Sequence, residues 1–212
     1  VGEIIKGVKV KINHEDGMRE GEGEILVKGP NVMRGYYKKP EETKKVIDKD
    51  NWFHTGDIGK LIEGKYLKIT DRKKEIFKTS GGKYIAPQVM ENKFKQSIFI
   101  EQLMVLGENE KHPAAFIVPD FQYLKDWCND NEIIFTSCEE IIRNPKILEI
   151  FDKEVKKYND HFSQYEKIKK FVLLGKAWSP EGGELTATLK LKRRNILEKY
   201  SDLYLKIFEK NV

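Results

Sequence analysis

The hydrophobic period changes partway along the chain, and that change limits the fold more than any other feature. Up to about Asp71 the apolar residues alternate with polar ones, as in "VKVKIN" (residues 8–13) and "GEILVKG" (residues 23–29), which is the period of a half-buried strand. "EDGMREGEGE" between them is turn material. "IGKLIEGKYLKIT" reads as a hairpin with Gly64 in its turn, its alternating set Leu61, Tyr66, Leu67 and Ile69 changing register there. The exception is "KPEETKKVID", where Pro40 followed by helix formers predicts a short surface helix. Beyond Asp71, "EIFKTSGGKYIAP" predicts one more hairpin with a Gly-Gly turn, and Pro87 opens an amphipathic helix. Strands are expected at "IEQLMVLGE", "HPAAFIVPD" and "KKFVLLG", and a helix at "FQYLKDWCNDN". A long helix from about Pro145 carries Leu148, Phe151, Val155, Tyr158 and Phe162 at i+3/i+4 spacing, one apolar face that reads as core. The last stretch, "ELTATLKLKRRNILEKYSDLYLKIF", begins as loop and ends as helix.

The expected fold class is therefore α+β: a β-rich, barrel-like part over residues 1–71, then a compact α+β domain over residues 72–212 with the joint near 71–74. No Ser/Gly string marks that joint, so any motion there must be carried by a few backbone torsions. A chain of 212 residues can bury roughly 70% of the surface its unfolded form exposes and needs no staple. It opens with "VGEIIKG" and no initiator Met, which reads as the middle of something longer.

Composition excludes some function classes. Charged residues are 34% of the chain, and no apolar run approaches the ~20 residues of a membrane-spanning helix. The net charge of +5 suits anionic ligands such as nucleotides, and also anionic membranes or nucleic acid. Lys and Glu are interspersed, however, as on an ordinary solvated surface. Cys128 and Cys138 match no zinc or redox spacing, and His14, His54, His112 and His161 are scattered. A reducing cytoplasm is the simplest setting.

Three stretches could carry chemistry. In "WFHTGDIG" (residues 52–59), Thr55-Gly56-Asp57 places a carboxylate on a tight turn just before a strand, where it can accept two hydroxyls such as a ribose diol; a ligand-free Asx-type turn is the plain reading. "TDRKKEIFKTSGGKYIAP" (residues 70–87) crowds basic residues around Ser80, Gly81 and Gly82. The glycines let a ligand approach the backbone closely, but the Walker spacing is missing and a plain hairpin turn fits locally. "GGELTATLKLKRRN" (residues 182–195) delivers Lys190 on a loop before a basic helix. A cation about 4 Å from a phosphate or carboxylate oxygen, at an effective dielectric near 20, is worth about 4 kcal/mol. The plain alternative is a solvated basic face or a nucleic-acid backbone patch.

Singly these stretches are weak; their order is specific. "GEGEILVKGPNVMRGYY", then "HTGD", "DRKKEIFKTSGGKYIAP" and "LTATLKLKRR" resemble the adenylate-forming acyl-CoA synthetase superfamily. "ITDRKKEIFKTSGGKYIAPQVMEN" and "GELTATLKLKRR" are similar to its long-chain fatty acid–CoA ligase branch. The resemblance covers essentially the whole chain and corresponds to the end of such an enzyme: the last β subdomain, the hinge and the mobile C-terminal domain.

The resemblance implies a ligase that uses ATP with Mg2+, a fatty acid and CoA, ATP and metal being held mainly by a large N-terminal domain with which this part works. These residues alone are then not expected to catalyse. It implies that Asp57 and Arg72 bind the nucleotide, that Lys74 lies at the hinge, and that Ser80, Gly81, Gly82 and Lys83 approach the CoA pantetheine arm. Lys190 matches the family's adenylation lysine, with Lys192 the nearest competitor at poorer spacing. Many relatives have Ser/Thr-Gly-Lys there, whereas this chain has Thr188-Leu189-Lys190. Lys73 and Lys78 keep a plain reading as surface or secondary contacts. A cytoplasmic enzyme is implied, with room for peripheral membrane contact and no nucleic-acid partner. Two alternatives stay open: a ligase for another carboxylate or for acyl carrier protein, and, in a different class, a basic nucleic-acid-binding module.

Overall fold

The computed structural model describes residues 2–209. The chain forms two compact units. One comprises the residues up to Lys78 together with Gly82–Val89, the other Thr79–Gly81 together with the residues from Met90 onward.

The first unit is built on five antiparallel strands: β1 (Gly2–Glu3), β2 (Lys9–Asn13), β3 (Gly23–Lys28), β4 (Phe53–Ile62) and β5 (Tyr66–Arg72), in the order β1-β5-β4-β3-β2. The short helix α1 (Pro40–Val46) interrupts them, with Pro in its first turn and no buried residue. Among the described residues β1 and β2 do not pair, so the sheet is open and not a closed barrel. Both outer strands are short, and β1 spans two residues, too few to bridge to β2. Glu63, Gly64 and Lys65 join β4 to β5; Glu63 and Gly64 take positive φ, and the Lys65 N–H closes the turn on the Ile62 carbonyl at 3.2 Å. Ile25, Leu26, Ile58 and Ile85 are among the buried apolar residues of this unit. The predicted Gly-Gly hairpin is present but minimal: β6 (Phe77–Lys78) pairs with β7 (Tyr84–Ile85) across a longer connection. α2 (Pro87–Phe94) follows, and the buried Asp71 carboxylate accepts the Gln88 N–H at 3.1 Å at its first turn.

The second unit centres on a three-stranded sheet. β9 (Ala114–Pro119) is its middle strand, antiparallel to β8 (Ile100–Leu106) and parallel to β10 (Lys170–Leu173). Every residue of β9 is buried, as expected of a strand covered on both faces. α3 (Phe121–Asp130) starts with Asp120 capping the Tyr123 N–H, and the one-turn α4 (Cys138–Ile141) follows. α5 (Pro145–Asn159) buries Ile147, Phe151, Val155 and Tyr158. The predicted stripe was therefore displaced at its start: Leu148 is 40% exposed and Ile147 takes its place. Both precede Phe151 at helical spacing, so periodicity alone could not separate them. Phe162 lies beyond the helix end and stacks on Phe94.

The single predicted C-terminal helix is two, α6 (Arg193–Lys199) and α7 (Ser201–Ile207), broken at Tyr200. Their apolar residues, among them Ile196 and Ile207, join Met104, Phe116, Trp178 and Leu185 in one core cluster against the sheet.

Candidate functional site

Asp57 and Arg72 are register partners across β4 and β5. The Arg72 Nε lies 3.0 Å from Asp57 Oδ1 as an ion pair, with the Arg72 side chain 65% exposed and Asp57 24%. Thr55-Gly56-Asp57 does not lie on a turn before a strand as expected. It is a kink inside β4, opposite the point where the pairing with β3 shifts register between Glu24 and Leu26. Gly56 takes φ +72° there, open to a residue without Cβ. Thr55 closes a local loop, its hydroxyl donating to the Ile25 carbonyl at 2.8 Å and accepting the Asp57 N–H at 3.1 Å. The kink delivers the Asp57 carboxylate beside a guanidinium, and a carboxylate has acceptor sites beyond the one that Arg72 uses.

Behind this pair stands a charged network that the sequence reading missed. The Lys73 ammonium donates to Glu15 Oε1 at 2.8 Å and to Glu24 Oε2 at 2.9 Å. Lys73 is thus not the plain surface lysine expected, because one of its partners, Glu24, is 4% exposed. Glu24 also meets His54 Nδ1 at 3.2 Å and accepts the Gly56 N–H at 3.3 Å. The Tyr84 hydroxyl donates to the other oxygen of Glu15. Burial pushes Glu24 up, but the Lys73 and His54 bonds outweigh it and hold the carboxyl below its usual range. For Lys73, burial works against the charge, and the two carboxylates outweigh it and raise its pKa. Alternation along β3 placed Glu24 on a strand, but nothing local in the sequence paired it with His54 or with a lysine 49 residues away. Lys78 lies over the Tyr84 ring, 4.4 Å from its centroid.

Lys74 is exposed, as are Ser80, Gly81, Gly82 and Lys83. The Ser80 N–H donates to the Glu110 carbonyl at 2.9 Å, and the Glu110 side chain accepts from the Tyr204 hydroxyl at 3.0 Å. The turn after β8 thereby ties Ser80 to α7 within the second unit. Gly82 has φ +74°. Gly81 has no such constraint: a Cβ there would meet only the Thr79 hydroxyl, at 3.9 Å.

Lys190 sits on a tight loop between Leu185 and Leu191, which pair as an isolated bridge. The Thr186 N–H donates to the Lys190 carbonyl at 2.8 Å, and the Lys190 N–H donates to the Thr186 hydroxyl at 3.0 Å. Leu189 occupies φ +58°, a left-handed conformation that favours glycine. The missing Gly of the Thr188-Leu189-Lys190 motif therefore falls at the residue where the backbone asks for one. Ion pairs to buried carboxylates hold the loop at both ends. Glu184, 1% exposed, pairs with Lys199, and its carbonyl accepts the Lys192 N–H. Arg193 grips both oxygens of the buried Glu91 at 2.7 and 2.8 Å, and Glu91 also accepts the Val105 N–H at 2.8 Å. Burial pushes the Glu91 carboxyl up to about 7 against the pull of Arg193. Lys190 and Lys192 are both exposed.

The structure thus brings Asp57 and Arg72 together in the first unit and presents Lys190 on the second. Among the described residues no group of three or more His, Cys, Asp or Glu converges to hold a metal, and no described helix is long and apolar enough to cross a membrane. An apolar groove of about 520 Å³, lined by Ile142, Leu148, Phe171 and Leu203 among others, contains none of these candidate residues.

Known proteins give this geometry a context. The chain is 42% identical over 177 residues to long-chain-fatty-acid–CoA ligase 1 of Homo sapiens, covering 82% of this chain and 25% of that protein. It is 34% identical over 202 residues to the putative fatty-acid–CoA ligase fadD11 of Mycobacterium tuberculosis, covering 95% and 34%. The chain therefore spans about a quarter to a third of the length of these relatives. Among solved structures, the A domain of carboxylic acid reductase from Segniliparus rugosus, in complex with AMP and a co-purified carboxylic acid, aligns with a TM-score of 0.76 at 20% identity over 98% of this chain and 32% of that one. At that identity the likeness establishes the fold alone, shared with that A domain. The model of the AMP-binding enzyme C-terminal domain matches residues 74–211. On that match over most of its length, the chain belongs to the AMP-binding enzyme C-terminal domain family.

Proposed function

We propose that this chain supplies the C-terminal part of a long-chain fatty acid–CoA ligase. The observation that carries the reading is the Asp57–Arg72 pair, a carboxylate and a guanidinium side by side on adjacent strands, in a chain 42% identical to a ligase of that name. In this reading Asp57 accepts the ribose hydroxyls of ATP and Arg72 lies by the ribose and α-phosphate. A fatty-acid carboxylate oxygen attacks the α-phosphorus, pyrophosphate leaves, and an acyl-adenylate forms. The CoA sulfur then attacks the acyl carbon and AMP leaves, giving acyl-CoA.

Lys190 acts in the first step. Its ammonium offsets the repulsion between carboxylate and triphosphate and holds them in reach of each other. Its exposed loop, clamped at both ends by ion pairs to buried carboxylates, suits a charge that must reach into a site without wandering. Ser80, Gly81, Gly82 and Lys83 act in the second step, lining the path of the pantetheine arm. The hinge lies at residues 71–74, with Lys74 at its pivot, separating the end of the large domain from the mobile domain. ATP triphosphate and Mg2+ are held upstream, and no step is assigned to metal ligands in this chain. The enzyme is placed in the cytoplasm, where its basic surface suits peripheral contact with an anionic membrane.

The test is Lys190→Ala in the full-length enzyme. Pyrophosphate release should fall by at least about 100-fold, the scale of removing one preorganised charge-stabilising group, while thioester formation from preformed acyl-adenylate is largely spared. Normal pyrophosphate release would remove Lys190 from this role.

A further inference from the structure

The nucleotide reading assigns work to Asp57 and Arg72 but leaves open what holds them. Between them in the fold lies a closed ring of hydrogen bonds. The Gly56 N–H donates to Glu24 Oε1 at 3.3 Å. The other oxygen of Glu24 accepts from the Lys73 ammonium at 2.9 Å. The Lys73 backbone N–H then returns to the Gly56 carbonyl at 2.8 Å. Both polar backbone groups of Gly56 are thus held by two residues that also hold each other.

Gly56 needs such restraint. It sits at φ +72°, and an added Cβ would meet nothing within 4 Å, so no side chain of its own and no wall of neighbours limits it. A glycine of this kind has the widest choice of backbone conformations. Its chain neighbour is Asp57, and the neighbour of Lys73 is Arg72, so one ring fixes the backbone beside both members of the pair. Glu24 is buried, and a buried carboxylate that loses its cation is costly, which makes the ring resistant to opening. Glu15 and His54 brace it from outside, each bonded to a ring member.

We propose that Lys73 and Glu24 are positioning residues that clamp the Gly56 peptide groups and so fix where Asp57 and Arg72 present their charges. The functional part of this rests on the ribose-binding reading of Asp57. It predicts that Lys73, which neither lines the groove nor carries a motif role, controls nucleotide affinity through Asp57.

The experiment uses the full-length enzyme with Lys73→Met, Lys73→Arg, Glu15→Gln and Asp57→Ala, read by amide hydrogen exchange over residues 53–60 and by AMP binding. Losing a charge-assisted bond should speed exchange at Gly56 and Asp57 about tenfold in Lys73→Met and weaken AMP by a similar factor. Lys73→Arg should restore both, and Glu15→Gln, which leaves the ring closed, should change each by less than about threefold. Unchanged exchange in Lys73→Met overturns the clamp whatever AMP does. Faster exchange with wild-type AMP affinity, while Asp57→Ala binds AMP poorly, overturns its role in positioning. If Asp57→Ala binds AMP normally, the ribose reading fails, and the exchange result still decides the clamp.

Discussion

Replacing Arg193 by Met should produce a stability loss that grows with pH above 7, because it strands the buried Glu91 carboxyl. In the folded protein burial raises that carboxyl from its ordinary 4.5 to about 7. A group raised on folding favours the folded state most at low pH, and that contribution is lost as pH rises from the unfolded value to the folded one. The loss proceeds at about 1.4 kcal/mol per pH unit, reaching about 3 kcal/mol in total. In the intact protein it stops growing above 7, because the folded carboxyl ionises too, held by the two Arg193 bonds and the Val105 N–H. Without Arg193 the carboxyl stays protonated in the fold while in the unfolded chain it is already ionised, so unfolding releases one proton and becomes easier with every further rise in pH. The variant should then fall behind the wild type by a further ~1.4 kcal/mol for each unit above 7, nearly 3 kcal/mol by pH 9. Below pH 6 only the lost hydrogen bonds remain, about 1–3 kcal/mol. The assay is urea unfolding at pH 6, 7, 8 and 9, followed by tryptophan fluorescence, to which Trp178, 3% exposed in the core of the same unit, contributes beside Trp52 and Trp127. Arg193→Met combined with Glu91→Gln should remove the pH dependence. A gap between Arg193→Met and wild type that stays constant from pH 6 to 9 would show that Glu91 is not the group Arg193 serves.

Further outcomes concern the loops. Gly81→Val in the full-length enzyme should impair CoA use more than adenylation, since a Cβ at Gly81 meets only the Thr79 hydroxyl at 3.9 Å and the fold has room for it; equal loss in both half-reactions would point to misfolding. Leu189→Gly should be tolerated, with stability unchanged or raised by up to about 1 kcal/mol, because Leu189 holds φ +58° and is 66% exposed, so relief of left-handed strain outweighs the added freedom of the unfolded chain. Leu189→Val should instead cost about 1 kcal/mol or more, since a β-branched residue is strained further in that region. Thermal unfolding of the pair compares them directly, and a stabilising Val would refute the backbone argument.

How much was legible in the sequence depended on range. Gly64 in its turn, Pro40 and Pro87 opening helices, and the strands β2 and β3 rest on local signals, and each element appears where it was expected, although the expected alternation is seen along β2 and not along β3, whose first four residues are all buried. The family was legible for a similar reason, since its motifs are short, contiguous and ordered. The Asp57–Arg72 contact was only half legible: each residue stood out alone, but their register across β4 and β5 is a property of the hairpin as a whole. Leu148 and Ile147 show the limit of periodicity. Two adjacent residues satisfy the same arithmetic, and the neighbouring helices and sheet choose between them.

By itself, then, the sequence determined the fold class, the element types and the family, because these rest on contiguous patterns of period, turn chemistry and motif. Only the tertiary structure decided that the sheet of the first unit stays open, that Thr55-Gly56-Asp57 is a kink within a strand, and that Lys73 belongs to an ion-pair ring. It also turned "KLKRR" from a run of like charge into distinct parts. Arg193 goes inward to Glu91, while Lys190 and Lys192 stay exposed. The physical reason is the same in each case. The fate of a charge depends on burial and on partners far along the chain, and both arise only when distant segments pack together.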